Sequence, residues 1–598
     1  MANKKKNVLF DLLSLITYKK PVEAREFYIP EVDKEPLADT RPEKKKDPKE
    51  KPASENGQKG LKKPIPAAQR TRERLKKNAE PQNPEDKSIS KSIDRNIEFI
   101  KKSFNAAYNK DIILREFTVA GKFRAFIAFI DGMVDRITIN EFILRPLLSK
   151  ESLDAAEGCS LEYILEKVLE TNQAVKKTEP DEVIYEILQG NTCLYVDGCN
   201  FYLSSETKGY DKRSVEKPQT EGVVRGAQEG FNENLRTNIT LIRKIIKNKD
   251  LSTEFVKIGD RNNNLCAILY IKGLTNPAIV HEVKRRIGNL KTDFIAGSGM
   301  LEQFIEENSW SLVPTILSTE RPDRTASHLV EGKVVIIAEG TPFALVVPVS
   351  LLTMFHTPED TVLRWQYGTL LRIIRLFATF IAVFAPGLYV AITNFHREMI
   401  PTDLLIAIAK ARENVPFPTI IEVLLMEISF ELIREAGIRI PGIIGNTIGI
   451  IGALILGQAA VQANLVSPVM IIIVAITGLG NFAIPDFSVA FAARIYRIIF
   501  IILGASLGFY GISLGIVALT TILACTKSFG VPLLSFIAPK VRSINDMILR
   551  KPVWMQERRP DNVNPLDETR QPKISRKWML QDAQVSPKGN QGDEKKDE

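Results

Sequence analysis

Four long uncharged apolar runs in the second half of the chain constrain its fold more than any other sequence feature. They cover residues 376–395, 443–463, 465–484 and 498–526. Each run has the roughly 20 apolar residues that a helix needs to cross about 30 Å of hydrocarbon. One such run is compatible with a buried helix of a soluble protein, but four in one block predict a transmembrane helical bundle.

Basic side chains flank this block and indicate its orientation. They precede the first run and follow the last: Arg364, Arg372, Arg375, Lys540, Arg542, Arg550 and Lys551. By the positive-inside rule, four spans then place both ends of the block in the cytoplasm. The last run is longer than one span needs, so we expect it to tilt strongly or to break near Gly508 and Gly511.

An acidic helix is predicted between the first and second runs, over residues 416–439. Its carboxylates are Glu422, Glu427 and Glu431. Carboxylates at membrane depth are costly, so they face water, a pore or a cation. Two interpretations stay open: a vestibule that attracts cations, or an interfacial or re-entrant helix whose acids pair with Arg434 and Arg439. Whether residues 416–436 span the membrane is also open.

The second run carries a pattern that fits a pore helix. Gly445, Gly449 and Gly452 share one face and allow close helix packing. A roughly opposite face places an amide among aliphatic residues, which suits a pore with a hydrophobic constriction. The pore-lining candidates are Ile451, Leu454, Gln458, Val461 and Gln462. Plain bundle packing remains an alternative, as does a third stripe of small and polar residues: Asn446, Ala453, Gly457, Ala460 and Asn464.

The region before the apolar block alternates between helical and strand patterns, which predicts an α/β soluble region of two small subdomains. The helices are expected at 93–104, 161–170, 182–190, 232–247 and 277–287, and the strands at 112–119, 124–131, 192–197, 253–259, 264–273 and in a hairpin over 334–348. The predicted domains are a disordered basic tail (1–90), two cytoplasmic subdomains (91–210 and 211–355), a transmembrane helical domain (356–540) and a mostly disordered cytoplasmic tail (541–598).

Composition and motifs argue against several functional classes. The net charge of +9 is mild for 598 residues and suits basic flanks of a membrane protein better than a nucleic-acid surface. The first 20 residues do not read as a secretory signal. The five cysteines are scattered and expected to be reduced, and the four histidines are isolated in sequence. Without a nucleotide, metal or catalytic motif, we predict no enzyme, no metal and no cofactor.

A polar, glycine-rich segment over residues 213–243 is the most distinctive soluble motif. It contains Glu216, Pro218, Glu221, Arg225, Gly226, Glu229, Phe231 and Asn238. Together with Pro358-Glu-Asp360, Glu422-Val-Leu-Leu-Met-Glu427 and Gly457-Gln-Ala-Ala-Val461, it resembles the A subunits of bacterial spore germinant receptors and the related stage V sporulation membrane protein. The family typically has Gly-Pro-Arg-Glu-Gly-Phe where this chain has Gly226-Ala-Gln-Glu-Gly-Phe231.

The resemblance implies a place in the spore inner membrane, as a multi-pass protein with its soluble part on the cytoplasmic, spore-core side. It implies a permease-like B subunit, a lipoprotein C subunit and membrane lipid as partners. It also implies a homo-oligomeric ring that conducts ions when nutrient binds. The motif around Arg225 is then expected to form contacts between subunits, the alternative being an ordinary charged loop. A stage V type accessory protein in dipicolinic acid or ion release, or a secondary transporter, are the alternative functions.

Overall fold

The computed structural model describes residues 89–119, 121–149, 164, 168–169, 174–209, 217–439, 456–537, 547–572 and 576. The predicted amino-terminal tail, most of the predicted helix 161–170, and the glycine face and Ile451 and Leu454 of the second apolar run lie outside the described residues. Two compact units divide the chain. One comprises Pro30–Val215 and Phe231–Phe255, and the other comprises Met1–Ile29, Glu216–Gly230 and Val256–Glu598. We call them the first and second units.

The first unit is built on a five-stranded sheet. Its elements are α1 (Ile93–Ser103), β1 (Ile112–Val119), β2 (Phe123–Ile130), α2 (Arg136–Thr138), a π-helical turn (Ile139–Leu144), α3 (Arg145–Leu148), β3 (Ala174–Lys177), α4 (Pro180–Leu188), β4 (Thr192–Val196), β5 (Tyr202–Ser205) and α5 (Leu235–Ile245). The strand order is β1-β2-β4-β5-β3. Apolar side chains of β2 and β4 alternate between two buried clusters, so both faces of the sheet are covered.

The second unit begins with another five-stranded sheet. Its strands are β6 (Leu251–Ile258), which starts within the first unit, β7 (Asn264–Ile271), β8 (Leu317–Thr319), β9 (Val334–Ala338) and β10 (Ala344–Val347). Their order is β6-β7-β9-β10-β8. The accompanying helices are α6 (Pro277–Gly288), α7 (Ser298–Ile305), α8 (Pro322–Val330), α9 (Leu351–Met354) and α10 (Pro358–Val362).

Both sheets differ from the parallel arrangement that alternating helices and strands suggest. The described pairings within them are antiparallel, including β1 with β2, β4 with β5 and β9 with β10. The physical reason is that these strand pairs are joined by short turns, which can link only antiparallel neighbours. The soluble region therefore combines helices with two antiparallel sheets.

The two sheets are also two copies of one plan, which the sequence analysis missed. In each copy the strand order is first, second, fourth, fifth, third. Pro180 and Pro322 begin equivalent helices, and each helix is followed by glycines with positive φ at the same spacing: Gly190 and Gly198 in one copy, Gly332 and Gly340 in the other. Equivalent residues are thus 142 positions apart in this part of the chain.

The helical part of the second unit follows. It contains α11 (Trp365–Phe395), a 3-10 turn (Arg397–Met399), α12 (Thr402–Arg412), α13 (Thr419–Arg439), a helix over residues 456–462, α14 (Pro468–Phe482) and α15 (Phe487–Cys525). Among the described residues, two helices, α11 with 31 residues and α15 with 39, are long and apolar enough to cross a membrane, and α14 has 15 residues. The four-span bundle stays a prediction.

The expected break in the last run is confirmed at Gly508, where the backbone has φ 59° and ψ −139°. Beyond Gly508 the chain turns back on itself. Gly515 lies against Phe500, so closely that a side chain added at Gly515 would meet the Phe500 ring. The two arms of α15, residues 487–507 and 509–525, are about 31 Å and 26 Å long at 1.5 Å per residue. Each arm therefore has roughly the length of one span.

The chain then returns to the second sheet. The hairpin of β11 (Lys527–Ser528) and β12 (Val531–Pro532) places Phe529 in the core of that sheet. Two 3-10 turns follow, Val553–Met555 and Asp561–Val563, and Val563 joins the same core. Residues 547–572, which the sequence analysis assigned to a mostly disordered tail, thus include a core side chain.

Candidate functional site

The first half of the soluble motif forms a loop, residues 217–230, that is fixed to the second sheet by Arg321. This arginine is fully buried at the start of α8. It donates hydrogen bonds to the carbonyl oxygens of Glu221 (3.0 Å) and Ala227 (2.9 Å), and it pairs with Asp323 at 2.8 Å. One guanidinium therefore holds two points of the loop, which its planar fork of donors makes possible.

Two further side chains next to Arg321 hold the beginning of the loop. A carboxylate oxygen of Glu320 accepts the backbone N–H groups of Gln219 (2.8 Å) and Thr220 (3.1 Å). Arg324 pairs with the carboxylate of Glu221 at 3.2 Å. Burial raises the pKa of Glu221 above its ordinary value, and the charge of Arg324 opposes that rise. The loop is thus anchored by charges that are themselves largely buried.

The tip of the loop projects into solvent. Val224 is 93% exposed, and Arg225 and Gly226 are also exposed. Glu229 is half-buried, and Glu216 lies outside the described residues. An exposed arginine on a firmly anchored loop is a suitable contact for a partner, since arginine is enriched at interfaces. The expectation that Arg225 makes contacts between subunits remains a proposal.

The second half of the motif belongs to the first unit, where its residues have structural roles. Phe231 is buried. The Asn238 side chain accepts the backbone N–H of Asn232 at 2.9 Å and donates to its carbonyl oxygen at 2.6 Å. Asn234 caps the amino terminus of α5. Asn238 therefore fixes the entry into α5 from within the protein.

In the helical part, the acidic residues of α13 meet arginines of neighbouring helices. Glu427 pairs with Arg497 of α15 at 2.7 Å, and Arg497 also donates to the carbonyl oxygen of Ala382 in α11 at 2.7 Å. Glu431 pairs with Arg494 at 3.1 Å. These contacts join three helices, and they give the buried Glu427 and Arg497 the partners that buried charges need away from water.

Two more contacts complete the acidic helix. Glu422 is fully buried, pairs with Arg412 of α12 at 3.2 Å and accepts the backbone N–H of Ser467 at 3.0 Å. Glu431 also contacts Arg434. The pairing alternative from the sequence thus has support at Arg434, while the side chain of Arg439 lies outside the described residues. Arg412, Arg494 and Arg497 were not foreseen as partners.

The described part of the candidate pore helix, residues 456–462, has two different faces. Gly457 and Ala460 are buried, and Ala460 belongs to a cluster with Val466, Met470 and Val474. In contrast, Gln458 and Gln462 are exposed together with Leu456 and Ala459, and Val461 is half-buried. Two members of the small-residue stripe therefore face the chain's own helices, and the two amides face outward.

A buried carboxylate connects the second sheet to the first long helix. Asp360 in α10 is fully buried between Arg375 (2.7 Å) and Arg372 (3.3 Å), near the start of α11. Its other contacts are the backbone N–H and the hydroxyl of Thr357. Burial alone would raise the pKa of Asp360, but Arg375, Thr357 and Arg372 hold it below its ordinary value. We call this contact set the junction.

The sequence contained signals for some of these missed contacts. Arg494 and Arg497 are three positions apart and share one helix face. Glu427 and Glu431 are four positions apart and share a face of another helix. Two positive and two negative side chains at such similar spacings can pair between the two helices. By contrast, no local signal pairs Arg321 with a loop about 100 residues earlier. Among the described residues, no three metal-ligating side chains come together.

The chain is similar to known proteins over most of its length. Residues 98–562 match the family described as Bacillus/Clostridium GerA spore germination protein. The chain is 41% identical to spore germination protein KA of Bacillus subtilis over 82% of its own length and 90% of that protein. It is 38% identical to the uncharacterized membrane protein YfkQ of Bacillus subtilis, covering 80% and 92% of the two chains.

One solved structure is also similar. It is the crystal structure of the N-terminal domain of the A subunit of the Bacillus megaterium spore germinant receptor GerK3, at 30% identity and a TM-score of 0.35, covering 44% of this chain and 96% of that one. The family resemblance found in the sequence is confirmed by the match over residues 98–562.

Proposed function

The chain belongs to the GerA family of spore germination proteins, and from this premise we propose that it is the A subunit of a nutrient germinant receptor. The match extends over both the sheets and the helical part. The match covers 90% or more of the length of two relatives that are named spore germination proteins. We propose the spore inner membrane as its location, with a permease-like B subunit, a lipoprotein C subunit and lipid as partners.

Membrane insertion is proposed for α11 and for the two arms of α15. Large apolar side chains on these helices are exposed, including Leu370, Phe377, Ile498 and Ile502. Gly387 and Gly504 allow the backbones of α11 and α15 to approach closely, since a side chain at Gly504 would collide with the carbonyl of Gly387. Close glycine contacts with apolar outer faces are typical of helices that pack in lipid.

We further propose that copies of the chain assemble in a ring and conduct ions along the helix that carries Gln458. The observation that carries this proposal is the division of residues 456–462 into a buried face of small residues and an exposed side that includes both amides. Amides that the chain's own helices leave uncovered are costly in lipid, so they favour a water-filled path. Ile451 and Leu454 are proposed as the apolar part of the same pore face.

The nutrient signal is proposed to pass through the junction. Glu221 of the anchored loop pairs with Arg324, and Arg324 donates to the carbonyl oxygen of His356 at 2.9 Å. His356 is followed by Thr357 and Asp360, which hold Arg372 and Arg375 of α11. A displacement of the loop by a neighbouring subunit therefore has a continuous polar route to the first long helix.

The experiment is ion flux through the full chain reconstituted in liposomes. If Gln458 lines the path, Gln458→Leu reduces K⁺ flux by roughly tenfold or more, because removing one polar group from a constriction adds at least about 1.4 kcal/mol to the barrier. Gln458→Glu should instead increase the preference for cations over anions, since a ring of carboxylates attracts cations.

A matched control is Ser506→Leu, which also replaces a polar residue by leucine at an exposed position of α15. It should leave the flux within about twofold of the wild-type protein, a change of less than about 0.5 kcal/mol. Unchanged flux and selectivity in both Gln458 variants would show that this face does not line an ion path.

A further inference from the structure

Residues 547–572, which we call the carboxy-terminal segment, begin against the first turns of α11. The backbone N–H of Arg550 donates to the hydroxyl of Thr369 at 3.1 Å. The Arg550 side chain also lies close to Gly368, where an added Cβ would be 3.3 Å from its Cδ. Arg550 therefore lies directly beside the first two turns of α11.

The length of α11 sets the level of these turns relative to a bilayer. Its 31 residues make a helix about 46 Å long at 1.5 Å per residue. That length matches the roughly 40–45 Å of a bilayer with both headgroup zones, rather than the hydrocarbon core of about 30 Å. The first turn exposes Trp365 and Tyr367, and these residue types are enriched at the headgroup level. The first two turns of α11 thus belong in a headgroup zone.

Beside these turns, the carboxy-terminal segment exposes a series of large apolar side chains. Leu549 is 63% exposed and Val553 is 55% exposed, and Val553 begins a 3-10 turn after Pro552. We call the exposed apolar residues between positions 548 and 555 the apolar strip: Ile548, Leu549, Val553, Trp554 and Met555. An exposed apolar patch of this kind marks an interaction site on a protein surface.

Buried polar residues within and after the apolar strip hold its backbone in place. Arg550 donates to the carbonyl oxygens of Thr361 at 2.7 Å and Leu363 at 2.9 Å. Gln556 is buried directly after the strip and donates to the carbonyl oxygen of Lys551 at 3.1 Å. Because these polar side chains point inward, the fold presents the apolar side chains between them at the surface.

We propose that the apolar strip inserts into the headgroup zone of the bilayer beside α11 and anchors the second sheet to the membrane surface. This inference rests on the proposed insertion of α11. Lipid is the occupant, because α11 also exposes Leu370 at this level, and the strip extends the lipid-facing surface to which Leu370 belongs. Val563 of the same segment lies in the core of the second sheet, so an inserted strip holds that sheet at the bilayer.

The test is quenching of tryptophan fluorescence by lipid, in the full chain reconstituted into phosphatidylcholine nanodiscs. The emission of Trp554 is obtained as the difference between the wild-type protein and Trp554→Phe. In phosphatidylcholine whose acyl chains are brominated near the headgroup, this emission should fall by about half or more relative to unbrominated lipid, because an interfacial tryptophan lies within reach of the bromine atoms.

The double variant L549S/V553S tests the strip itself, measured with and without Trp554→Phe. Quenching of the Trp554 emission by brominated lipid should become about twofold weaker or more, because membrane binding scales with the apolar area that enters the interface. Both residues are exposed, so the core is left intact. The matched control, L148S/V175S, replaces an exposed leucine and an exposed valine of the first unit and should leave the quenching unchanged.

Trp365 of α11 separates a failure of this proposal from a failure of the proposed function. Its emission is obtained in the same way from Trp365→Phe. If brominated lipid quenches Trp365 but not Trp554, α11 is inserted and the strip is not, so the proposal is wrong. Quenching of Trp554 by aqueous iodide would then show a strip that faces water, and resistance to both quenchers would show one covered by protein.

Two further outcomes would also overturn the anchor. If brominated lipid quenches neither tryptophan, the proposed insertion of α11 fails and the anchor fails with it. If the Trp554 emission is quenched equally in L549S/V553S and in the wild-type protein, the segment lies near the bilayer without being held there by its apolar side chains.

Discussion

At the scale of single residues, the buried ion pairs of Asp360 lead to a prediction about stability. Its carboxylate is fully buried and has two arginine partners, Arg372 and Arg375. Removing one partner of a buried ion pair leaves the others without compensation and costs about 3–5 kcal/mol. We therefore expect Asp360→Asn to lower the free energy of unfolding by roughly that amount, measured by denaturation of the full chain in detergent.

The control is Glu359→Gln, which removes a carboxylate at the adjacent, half-buried position. It should change the free energy of unfolding by less than about 0.5 kcal/mol, as is usual for substitutions away from buried networks. If the two variants are equally stable, Asp360 does not hold α11 to the second sheet. The proposed route through the junction would then lose its central contact.

His328 and His356 give a second residue-scale prediction, on pH. Because both have a pKa depressed to about 4 and about 3, the unfolded state binds protons first as pH falls. Each histidine thus contributes stability above pH 6.5 that is lost as pH falls from about 6.5 toward its folded pKa, at up to about 1.4 kcal/mol per pH unit. We expect His328→Gln to flatten the fall in stability between pH 6.5 and 5.

The effect of His328 must be measured as the difference in stability between the variant and the wild-type protein, because protonation of Glu302 changes stability in the opposite direction. Burial raises the pKa of Glu302 to about 8, so its contribution to stability increases as pH falls through this range. That contribution is common to the wild-type protein and the variant and cancels in their difference. The control is His281→Gln at an exposed position of α6. A pH profile of His328→Gln that parallels the control would contradict the buried, neutral histidine.

At the scale of elements, the sequence predicted the helices and strands whose own residues show clear periodicity or a turn signal. Helix α1, strand β1 and the β9–β10 hairpin lie within a residue or a few of their expected positions. These have clear periodicity or a turn signal such as Gly340, which has positive φ. The short strands β3, β5 and β8 were missed, since three or four residues give too little pattern. The antiparallel order of the sheets depends on contacts between strands, which periodicity does not contain.

The reversal of α15 at Gly508 is the element-scale feature with the sharpest test. Its φ of 59° is unfavourable for a residue with a side chain, by about 1–2 kcal/mol. An added methyl group would also meet Phe395 and His396 at about 3 Å. We expect Gly508→Ala to lower the free energy of unfolding in detergent by about 2 kcal/mol or more, as strain and overpacking combine.

Ser506→Ala is the control for this element, two residues before the turn at an exposed position. It should have little effect, because α15 tolerates alanine where the backbone is helical. If Gly508→Ala is as stable as the control, the two arms do not turn back at this residue. In that case α15 continues as one helix, and the lengths assigned to the two arms do not apply.

At the scale of the whole molecule, the second unit depends on contacts between distant parts of the chain. Arg550 donates to the carbonyl oxygen of Thr361 at 2.7 Å, 189 positions earlier, and to that of Leu363 at 2.9 Å. The sequence analysis identified the Pro358-Glu-Asp360 and Glu221 motifs, but not what they contact. Which charge meets which is decided by the folded arrangement, so Arg321, Arg324 and Arg550 had no signal in their own neighbourhoods.

This dependence predicts a difference between two truncations of the full chain. Ending the chain after residue 576 keeps every described residue, and we expect the unfolding midpoint in detergent to stay within about 1 °C of the wild-type value. Ending it after residue 546 removes Val563, which is 1% exposed in the core of the second sheet, and Arg550, which is 3% exposed. Burial of an apolar side chain contributes about 1.5–3 kcal/mol to the free energy of unfolding, and a hydrogen bond from a charged group contributes about as much.

The shorter chain should therefore lose at least about 3 kcal/mol of stability, and hydrogen exchange should become faster in α10 and at the start of α11, where Arg550 binds. A chain with Arg550→Gln alone separates the two causes, because it retains Val563. It should show the faster exchange in α10 with only part of the loss in stability. Equal stability of the chains ending at 546 and 576 would mean that the carboxy-terminal segment lies on the second sheet without supporting it.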